Sequence, residues 1–154
     1  EEILGDFLLP SLEVAGPGMH WVEVSRAVGT EDAPLSDHTK RQMEAYGEYY
    51  QAARGALRAG ATCHDVHRAV SAGFSARGYQ LGHVTGHSIG MTMIEFPKIG
   101  EGVELELAED MVFSMHPHAI AESGDCLYMQ DTWLVTADGG VPLSNLPMKI
   151  FAKA

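Results

Sequence analysis

Histidines recur in this chain in short motifs that could transfer protons or hold a metal ion. His83 and His87 lie four residues apart in the segment Gly82–Gly90, whose glycines permit close approach of a backbone or a ligand. His116 and His118 flank a proline and would lie on one face of a strand if the proline does not disturb it. Imidazole titrates near neutral pH and also ligates metals, so both kinds of chemistry are open to these residues. The alternative is that they only bond nearby carbonyl groups.

Four further polar side chains are candidates for a binding site. Glu13 and Glu23 flank the turn Gly16–Gly18 of a predicted hairpin and could face each other across it. Solvent-facing carboxylates are the commoner case for strand glutamates. Gln130 and Asp131 are neighbours in an apolar strand, so one side chain points to each face, and a buried one must be hydrogen-bonded.

Hydrophobic periodicity predicts the elements that position these residues. Apolar residues in the range 43–57 recur at steps of three and four, which predicts an amphipathic helix that ends at Gly60. Thr62 can cap a second helix, and Gly78 ends it. Strand-like patterns occur at residues 7–14, 21–28, 103–107, 111–118 and 127–135. Strands, two helices and further strands predict an α+β fold with a sheet packed under helices.

Composition limits the classes of function. The chain has 154 residues and a formal net charge of −11, which excludes a nucleic-acid binder that depends on phosphate contacts. No apolar run approaches the roughly 20 residues of a membrane span, and the acidic start does not resemble a signal peptide. Its two cysteines provide no disulfide framework. We therefore expect a cytoplasmic protein without nucleic acid or membrane partners.

Three motifs, taken in order, resemble the pita-bread family, which contains creatinase, Xaa-Pro aminopeptidases, prolidases and methionine aminopeptidases. They are Gly82–Gly90, Leu107–Pro117 and Tyr128–Thr136. Glu23–Arg26 and Arg58–Thr62 resemble two shorter motifs of the family. The resemblance implies that residues 1–154 form a single creatinase/aminopeptidase-like domain. It would be the C-terminal two-thirds of the pita-bread fold, without the family's N-terminal helices or N-terminal domain.

The resemblance also implies a degenerate metal site. The family's peptidases hold two divalent ions with two Asp, one His and two Glu, and these positions carry Glu13, Glu23, His87, His116 and Gln130 here. The family set supplies four negative charges, whereas this set supplies two, and a Gln amide lacks the second anionic oxygen that a bridge needs. A catalytic histidine that the peptidases carry seven residues after the metal-binding histidine falls on Ile94.

We therefore expect a hydrolase without the dinuclear metal site and without a resident cofactor. As in creatinase, the hollow would bind a small amino-acid-like substrate or dipeptide by hydrogen bonds, and a C–N bond would be cleaved. The catalytic candidates are His83, His87 and His116, and the substrate-binding candidates are Glu13, Glu23, Gln130 and His118.

Two alternatives stay open. The first is a metal-dependent Xaa-Pro aminopeptidase or prolidase with an altered site, in which Glu23, His87 and His116 hold one zinc, manganese or iron ion. The second is a catalytically inactive module that binds peptides or proteins. We also expect a homodimer, or a need for an N-terminal segment or second chain, because the first strand begins close to the terminus with no helix to cover it.

Overall fold

The computed structural model describes residues 7–30, 35–82 and 84–151. Two helices lie in these ranges, α1 (Asp37–Ala56) and α2 (Cys63–Ala76). The strands are β1 (Phe7–Leu8), β2 (Ser11–Ala15), β3 (Trp21–Ser25), β4 (Val28–Gly29), β5 (Gln80–Leu81), β6 (Gly86–Ser88), β7 (Glu95–Ile99), β8 (Val112–Met115), β9 (His118–Ile120), β10 (Cys126–Tyr128), β11 (Asp131–Val135) and β12 (Gly140–Pro142). The predicted order of strands, two helices and further strands is confirmed.

The described strands pair in antiparallel fashion. The largest sheet has the order β12-β11-β8-β6-β7, and a three-stranded sheet has the order β10-β9-β5. Strand β2 pairs with β3, and β1 pairs with β4, so the predicted hairpin is present. None of the helices in the described ranges is long and apolar enough to cross a membrane.

Helix α1 begins and ends earlier than its hydrophobic pattern indicates. Ser36 caps it by accepting a hydrogen bond from the Thr39 N–H, and the first turns are polar, so they carry no apolar period. The helix ends at Ala56 rather than at Gly60. Gly60 instead adopts a positive φ of 82° in the link to α2. Its N–H donates to the Leu107 carbonyl, so this glycine shapes the link and does not end the helix.

Helix α2 matches the prediction. Thr62 caps it in a reciprocal capping box with Asp65. Val66, Val70 and Phe74 are buried, and the Phe74 ring packs 5.5–5.6 Å from the tyrosine rings of α1. The core thus lies between the two helices and the sheets, where Trp133 is its largest fully buried side chain.

The alternating segment 103–107 does not form a sheet strand. Its side chains do alternate, with Val103 and Leu105 partly buried, Leu107 buried and the two glutamates between them exposed. However, its carbonyls accept hydrogen bonds from the start of α2: Cys63 N–H donates to Leu105 and His64 N–H to Val103. Because the first N–H groups of a helix lack partners within the helix, they take the carbonyls that a strand would offer to a neighbouring strand.

The two longer apolar stretches are each split into two strands. Strand β8 ends at Met115 and β9 begins at His118, so the strand is interrupted at the proline and His116 and His118 do not share one strand face. Pro117 has no N–H for a ladder, and its carbonyl accepts a hydrogen bond from the Tyr46 hydroxyl. The second break lies at Met129, whose N–H donates to the same hydroxyl at 2.9 Å. The Tyr46 hydroxyl of α1 therefore binds the backbone at both strand breaks, Pro117 and Met129.

Candidate active site

A cleft of about 340 Å³ lies where the β2–β3 hairpin meets the ends of β6, β9 and β10. Its lining consists of Glu13, Glu23, His87, Met93, Ile94, His116, His118, Tyr128 and Gln130. The structure thus brings together the predicted site residues that it describes. His83, the remaining predicted residue, lies outside the described ranges.

Glu13 and Glu23 are direct partners in the hairpin register, as the sequence suggested. Strand β3 is fixed by Thr132 of β11, whose Oγ1 accepts from the Glu23 N–H at 2.8 Å and donates to the Glu23 carbonyl at 3.0 Å. Glu23 is only 3% exposed, whereas Glu13 lies on a strand that is exposed throughout. The hairpin therefore presents one rigid, buried carboxylate beside a more accessible one.

One oxygen of Glu23 is surrounded by neutral donors. The Ser114 hydroxyl and the Gln130 amide nitrogen both donate to Glu23 Oε2. The amide oxygen of Gln130 accepts from Ser11 Oγ at 3.1 Å. An ionised carboxylate can only accept, so the Gln130 amide must turn its NH₂ group toward Glu23.

The environment of Glu23 changes its acidity. Burial raises the pKa of this carboxyl above its ordinary value of 4.5, and the Glu13 charge acts in the same direction. The Ser114 and Gln130 hydrogen bonds and the nearby His87 lower the pKa and offset part of the increase. The net result is that Glu23 keeps its proton to a higher pH than an exposed glutamate.

This raised pKa predicts a pH-dependent stability. The folded state binds the Glu23 proton more tightly than the unfolded chain, so the stabilisation is complete below the unfolded pKa and is lost as pH rises through the folded pKa. We expect the stability of the parent relative to Glu23→Gln to fall over this interval. Urea unfolding of both proteins from about pH 4 to pH 8 measures it. The exposed Glu104→Gln is the control, and a parent–variant difference that does not change with pH would contradict the prediction.

His87 is held so that one ring nitrogen faces the carboxylates. Its Nδ1 donates to the Ser88 carbonyl at 3.0 Å, and its Nε2 lies 3.6 Å from Glu23 Oε2. Since a carbonyl only accepts, a neutral ring carries its proton on Nδ1 and a lone pair on Nε2. Gly86 permits this placement, because a Cβ there would come within 2.3 Å of the Ser114 carbonyl oxygen. Gly86 therefore permits the close approach of strand β6 to strand β8.

The imidazoles follow one another along the cleft. The ring centroids of His87 and His116 are 5.0 Å apart, and those of His116 and His118 are 6.2 Å apart. His118 stacks on Tyr128 at 4.7 Å with the planes 7° apart. Three imidazole rings thus lie in one cleft with the two carboxylates.

Asp131 belongs to the opposite side of its strand, as predicted for neighbours with one polar side chain on each face. It does not line the cleft but accepts from Arg26 Nη2 at 2.7 Å, and both side chains are buried. Arg26 also donates to the carbonyls of Ser25 and Gln130, at 2.7 and 2.8 Å. This ion pair therefore fixes the backbone from which Gln130 projects.

Sequence reasoning missed three residues of this site. Ser114 binds Glu23, and Met93 and Tyr128 line the cleft. A polar residue within the apolar stretch 111–115 was a signal for Ser114. Tyr128 pairs with His118 across β9 and β10, which only the strand register shows. Met93 lies in a loop, where no periodic pattern marks it.

The donor set does not fit a pair of divalent ions. Within the described ranges, no three His, Cys, Asp or Glu side chains are arranged to hold a metal ion, so Glu23, His87 and His116 do not form a ready ligand group. Glu23 Oε2 accepts from Ser114 and Gln130 instead. An amide NH₂ group has no lone pair to offer a cation.

Comparisons with known proteins identify the family. The profile of Metallopeptidase family M24 matches residues 12–137, so the chain belongs to this family of peptidase-like hydrolases. The probable dipeptidase PepE of Mycobacterium tuberculosis is 29% identical over 138 residues, which cover 88% of this chain and 36% of the relative.

Two solved structures show the same fold. Dipeptidase PepE from Mycobacterium ulcerans matches with a TM-score of 0.87 and 26% identity over 97% of this chain and 40% of that protein. X-Pro aminopeptidase from Thermotoga maritima matches with a TM-score of 0.87 and 23% identity over 97% and 42%. The predicted α+β pita-bread fold is confirmed, and the chain spans about two-fifths of the length of these relatives.

Proposed function

We propose that this cleft hydrolyses an amide C–N bond in a small amino-acid-like substrate or dipeptide, without a dinuclear metal site. Membership of a hydrolase family and the names of the relatives, dipeptidase and X-Pro aminopeptidase, support the reaction class. The observation that carries the metal-free part is the hydrogen bond from Gln130 Nε2 to Glu23 Oε2. This hydrogen bond supports the proposal because an amide nitrogen that donates to the carboxylate cannot also ligate a cation shared with it.

The paired carboxylates would bind the cationic part of the substrate. Glu13 and Glu23 face each other across the hairpin and attract an ammonium or guanidinium group, and their attraction is strengthened by partial exclusion of water. Gln130 and His118 would then orient the polar groups at the other end of the substrate. We assign His83 to the binding of a substrate carboxylate or carbonyl.

The histidines would move the protons of hydrolysis. The lone pair of His87 Nε2 takes a proton from water, and the hydroxide adds to the amide carbon. The C–N bond then breaks, and the imidazolium returns its proton to the leaving nitrogen. His116, whose ring is 5.0 Å from that of His87, would donate to the carbonyl oxygen or act as a second proton carrier. The products are a carboxylic acid and an amine, and transfer of the acid proton to the amine gives a carboxylate and an ammonium ion.

Metal analysis and chelation test this proposal. We expect the protein purified without added metal to contain much less than one divalent ion per chain, because His116 and Gln130 occupy two of the positions that the family resemblance assigns to acidic ligands. Elemental analysis measures the content. Hydrolysis of dipeptides should be unaffected by a chelator.

A matched pair of variants shows whether any hydrolysis comes from this cleft. His87→Gln should lower kcat by about 100-fold or more, because the proton acceptor is lost. His20→Gln changes an exposed histidine in the turn of the hairpin and should have no effect. Nearly two ions per chain, with activity lost on chelation, would disprove the metal-free site.

The family description favours a second candidate function. A metallopeptidase with an altered site could hold a single zinc, manganese or iron ion between Glu23, His87 and His116. Binding of one ion per chain, required for hydrolysis, would support this candidate. Peptide binding with no hydrolysis under any condition would instead support a catalytically inactive binding module.

We propose that the hairpin is covered by a second copy of the chain. Leu12, Val14 and Val22 are 56%, 40% and 40% exposed, and they share the hairpin face opposite Glu13 and Glu23. Exposed aliphatic faces of this kind mark association surfaces.

The two cysteines are free, which supports a reducing, cytoplasmic location.

Sedimentation tests the association. The 154-residue chain should sediment as a dimer, and Leu12→Lys with Val22→Lys should sediment as a monomer, because two charges replace apolar contact area. Leu143→Lys, which changes a residue that is 51% exposed outside the hairpin, is the control. A monomeric parent with a sharp, reversible thermal transition would contradict the dimer.

A further inference from the structure

Helix α2 contacts the segment that carries His87 through one side chain, His67. His67 Nδ1 lies 2.8 Å from Thr85 Oγ1. Thr85 is fully buried, lies directly before β6 and precedes His87 by two residues. Neither His67 nor Thr85 lines the cleft. A histidine outside the cleft is therefore bonded to the segment that leads into it.

Ser71 determines where the protons of this contact lie. Its hydroxyl donates to the His67 carbonyl one turn earlier in α2, at 2.8 Å. The same oxygen lies 3.4 Å from His67 Nε2, so it can only accept from that nitrogen. A neutral ring with its proton on Nε2 has a lone pair on Nδ1, and the Thr85 hydroxyl donates to it. Burial lowers the pKa of the His67 imidazole below its ordinary value of 6.5, which favours this neutral ring.

The backbone of Thr85 connects the strand β7 to His116. Its N–H donates to the Ile99 carbonyl at 3.0 Å, and its carbonyl accepts from the His116 N–H at 2.9 Å. This carbonyl belongs to the peptide between Thr85 and Gly86, and a glycine restricts the backbone least of all residues. The side-chain bond from Thr85 to His67 therefore restrains the carbonyl that binds His116.

We propose that His67 is a positioning residue, which fixes His116 in the cleft through the hydroxyl and the carbonyl of Thr85. Because Pro117 has no N–H, the His116 N–H is the last backbone donor before β9 begins at His118. The bond to Thr85 thus holds the residue from which the His116 ring projects. The consequence for catalysis rests on the proposed function, in which His116 donates to the carbonyl oxygen or carries a proton. Transfer of a proton requires a closely placed donor, so a displaced ring lowers the rate.

Hydrogen exchange of the His116 backbone amide, followed by NMR, tests the connection without a substrate. His67→Leu removes the acceptor at nearly the same side-chain volume, and Thr85→Val removes the donor. Each variant should speed exchange at His116 by roughly tenfold, because the bond to the Thr85 carbonyl opens more often. His67→Asn should restore the slow exchange, since its amide oxygen is as far from the backbone as Nδ1 and can accept from Thr85.

Two controls separate this effect from a general loss of stability. The Val135 N–H donates to the Met111 carbonyl at 2.9 Å, away from Thr85, and its exchange should not change in any variant. His64→Leu makes the same substitution on the same helix, at a residue whose Nδ1 accepts from the Gly102 N–H. It should leave exchange at His116 as in the parent.

Kinetics on the dipeptide that the parent hydrolyses fastest gives the second readout. His67→Leu should lower kcat at least about tenfold and change KM less than about twofold, because the groups that bind the substrate are untouched. His67→Asn should recover kcat, and His64→Leu should keep it.

The two readouts distinguish the positioning role from the proposed function. Exchange at His116 that stays slow in both His67→Leu and Thr85→Val would overturn the positioning role, and hydrolysis that continues in these variants would then leave the proposed function standing. If both variants speed the exchange but the parent hydrolyses no dipeptide, the positioning of His116 is supported and the proposed function is disproved.

Discussion

Arg26→Met is expected to lower the free energy of unfolding by about 3–5 kcal/mol. The Arg26 side chain is 5% exposed and binds Asp131, which is 1% exposed, so the substitution leaves a buried carboxylate without its cation. Asp131 Oδ1 has no hydrogen-bond partner among the described residues, and Arg26 is the cation that Asp131 Oδ2 binds, at 2.7 Å. The carbonyls of Ser25 and Gln130 also lose a charged donor.

Urea unfolding followed by circular dichroism measures this loss. The control is Arg68→Met, because Arg68 is 73% exposed and its ion pair with Asp65 is 3.6 Å long. An exposed pair contributes at most about 1 kcal/mol. Replacement of both buried partners, Arg26→Met with Asp131→Leu, should recover part of the stability. A loss in Arg26→Met no larger than in Arg68→Met would show that the buried pair is not a major source of stability.

Secondary-structure elements could be predicted where the local hydrophobic periodicity alone determined them. Helix α2 has both a capping residue, Thr62, and an apolar stripe, and its bounds matched the prediction. The start of α1 carries neither an apolar stripe nor a proline, and only the cap at Ser36 marks it. The strand-like patterns at 103–107 and 127–135 contain no information about the segment with which each one pairs. That partner is set by contacts between distant segments, such as Tyr46 with Met129.

In the site, too, local sequence predicts some features, and contacts between distant segments determine the others. Residues with titratable side chains could be identified from type and motif, and those described do line one cleft. The role of Gln130 as a donor to Glu23 could not be predicted, because it depends on how β3 is placed against β11. Thr132 sets that placement through two hydrogen bonds to the Glu23 backbone. Ser114 donates to the same carboxylate, and although it is a polar residue within an apolar stretch, that pattern does not indicate its partner.

The double variant His116→Glu with Gln130→Glu is expected to bind manganese or cobalt at least about 100-fold more tightly than the parent. Both positions line the cleft beside Glu13, Glu23 and His87. The change replaces the amide donor at Glu23 with an anionic acceptor, and the cleft then offers four carboxylates and the imidazoles of His87 and His118. Calorimetric titration with each metal measures the affinity.

Stability gives a second, independent measurement on the same variant. Without metal, the new carboxylates repel Glu13 and Glu23 and should lower the free energy of unfolding. Added metal should restore it, because an ion that binds only the folded state stabilises that state. His64→Glu with Gln51→Glu makes the same two changes of residue type outside the cleft and should show no metal-dependent stability. Peptidase activity need not return, because Ile94 occupies the position that the family resemblance assigns to a catalytic histidine. If the cleft variant gains neither metal affinity nor metal-dependent stability, His116 and Gln130 do not occupy the ligand positions that the resemblance assigns to them.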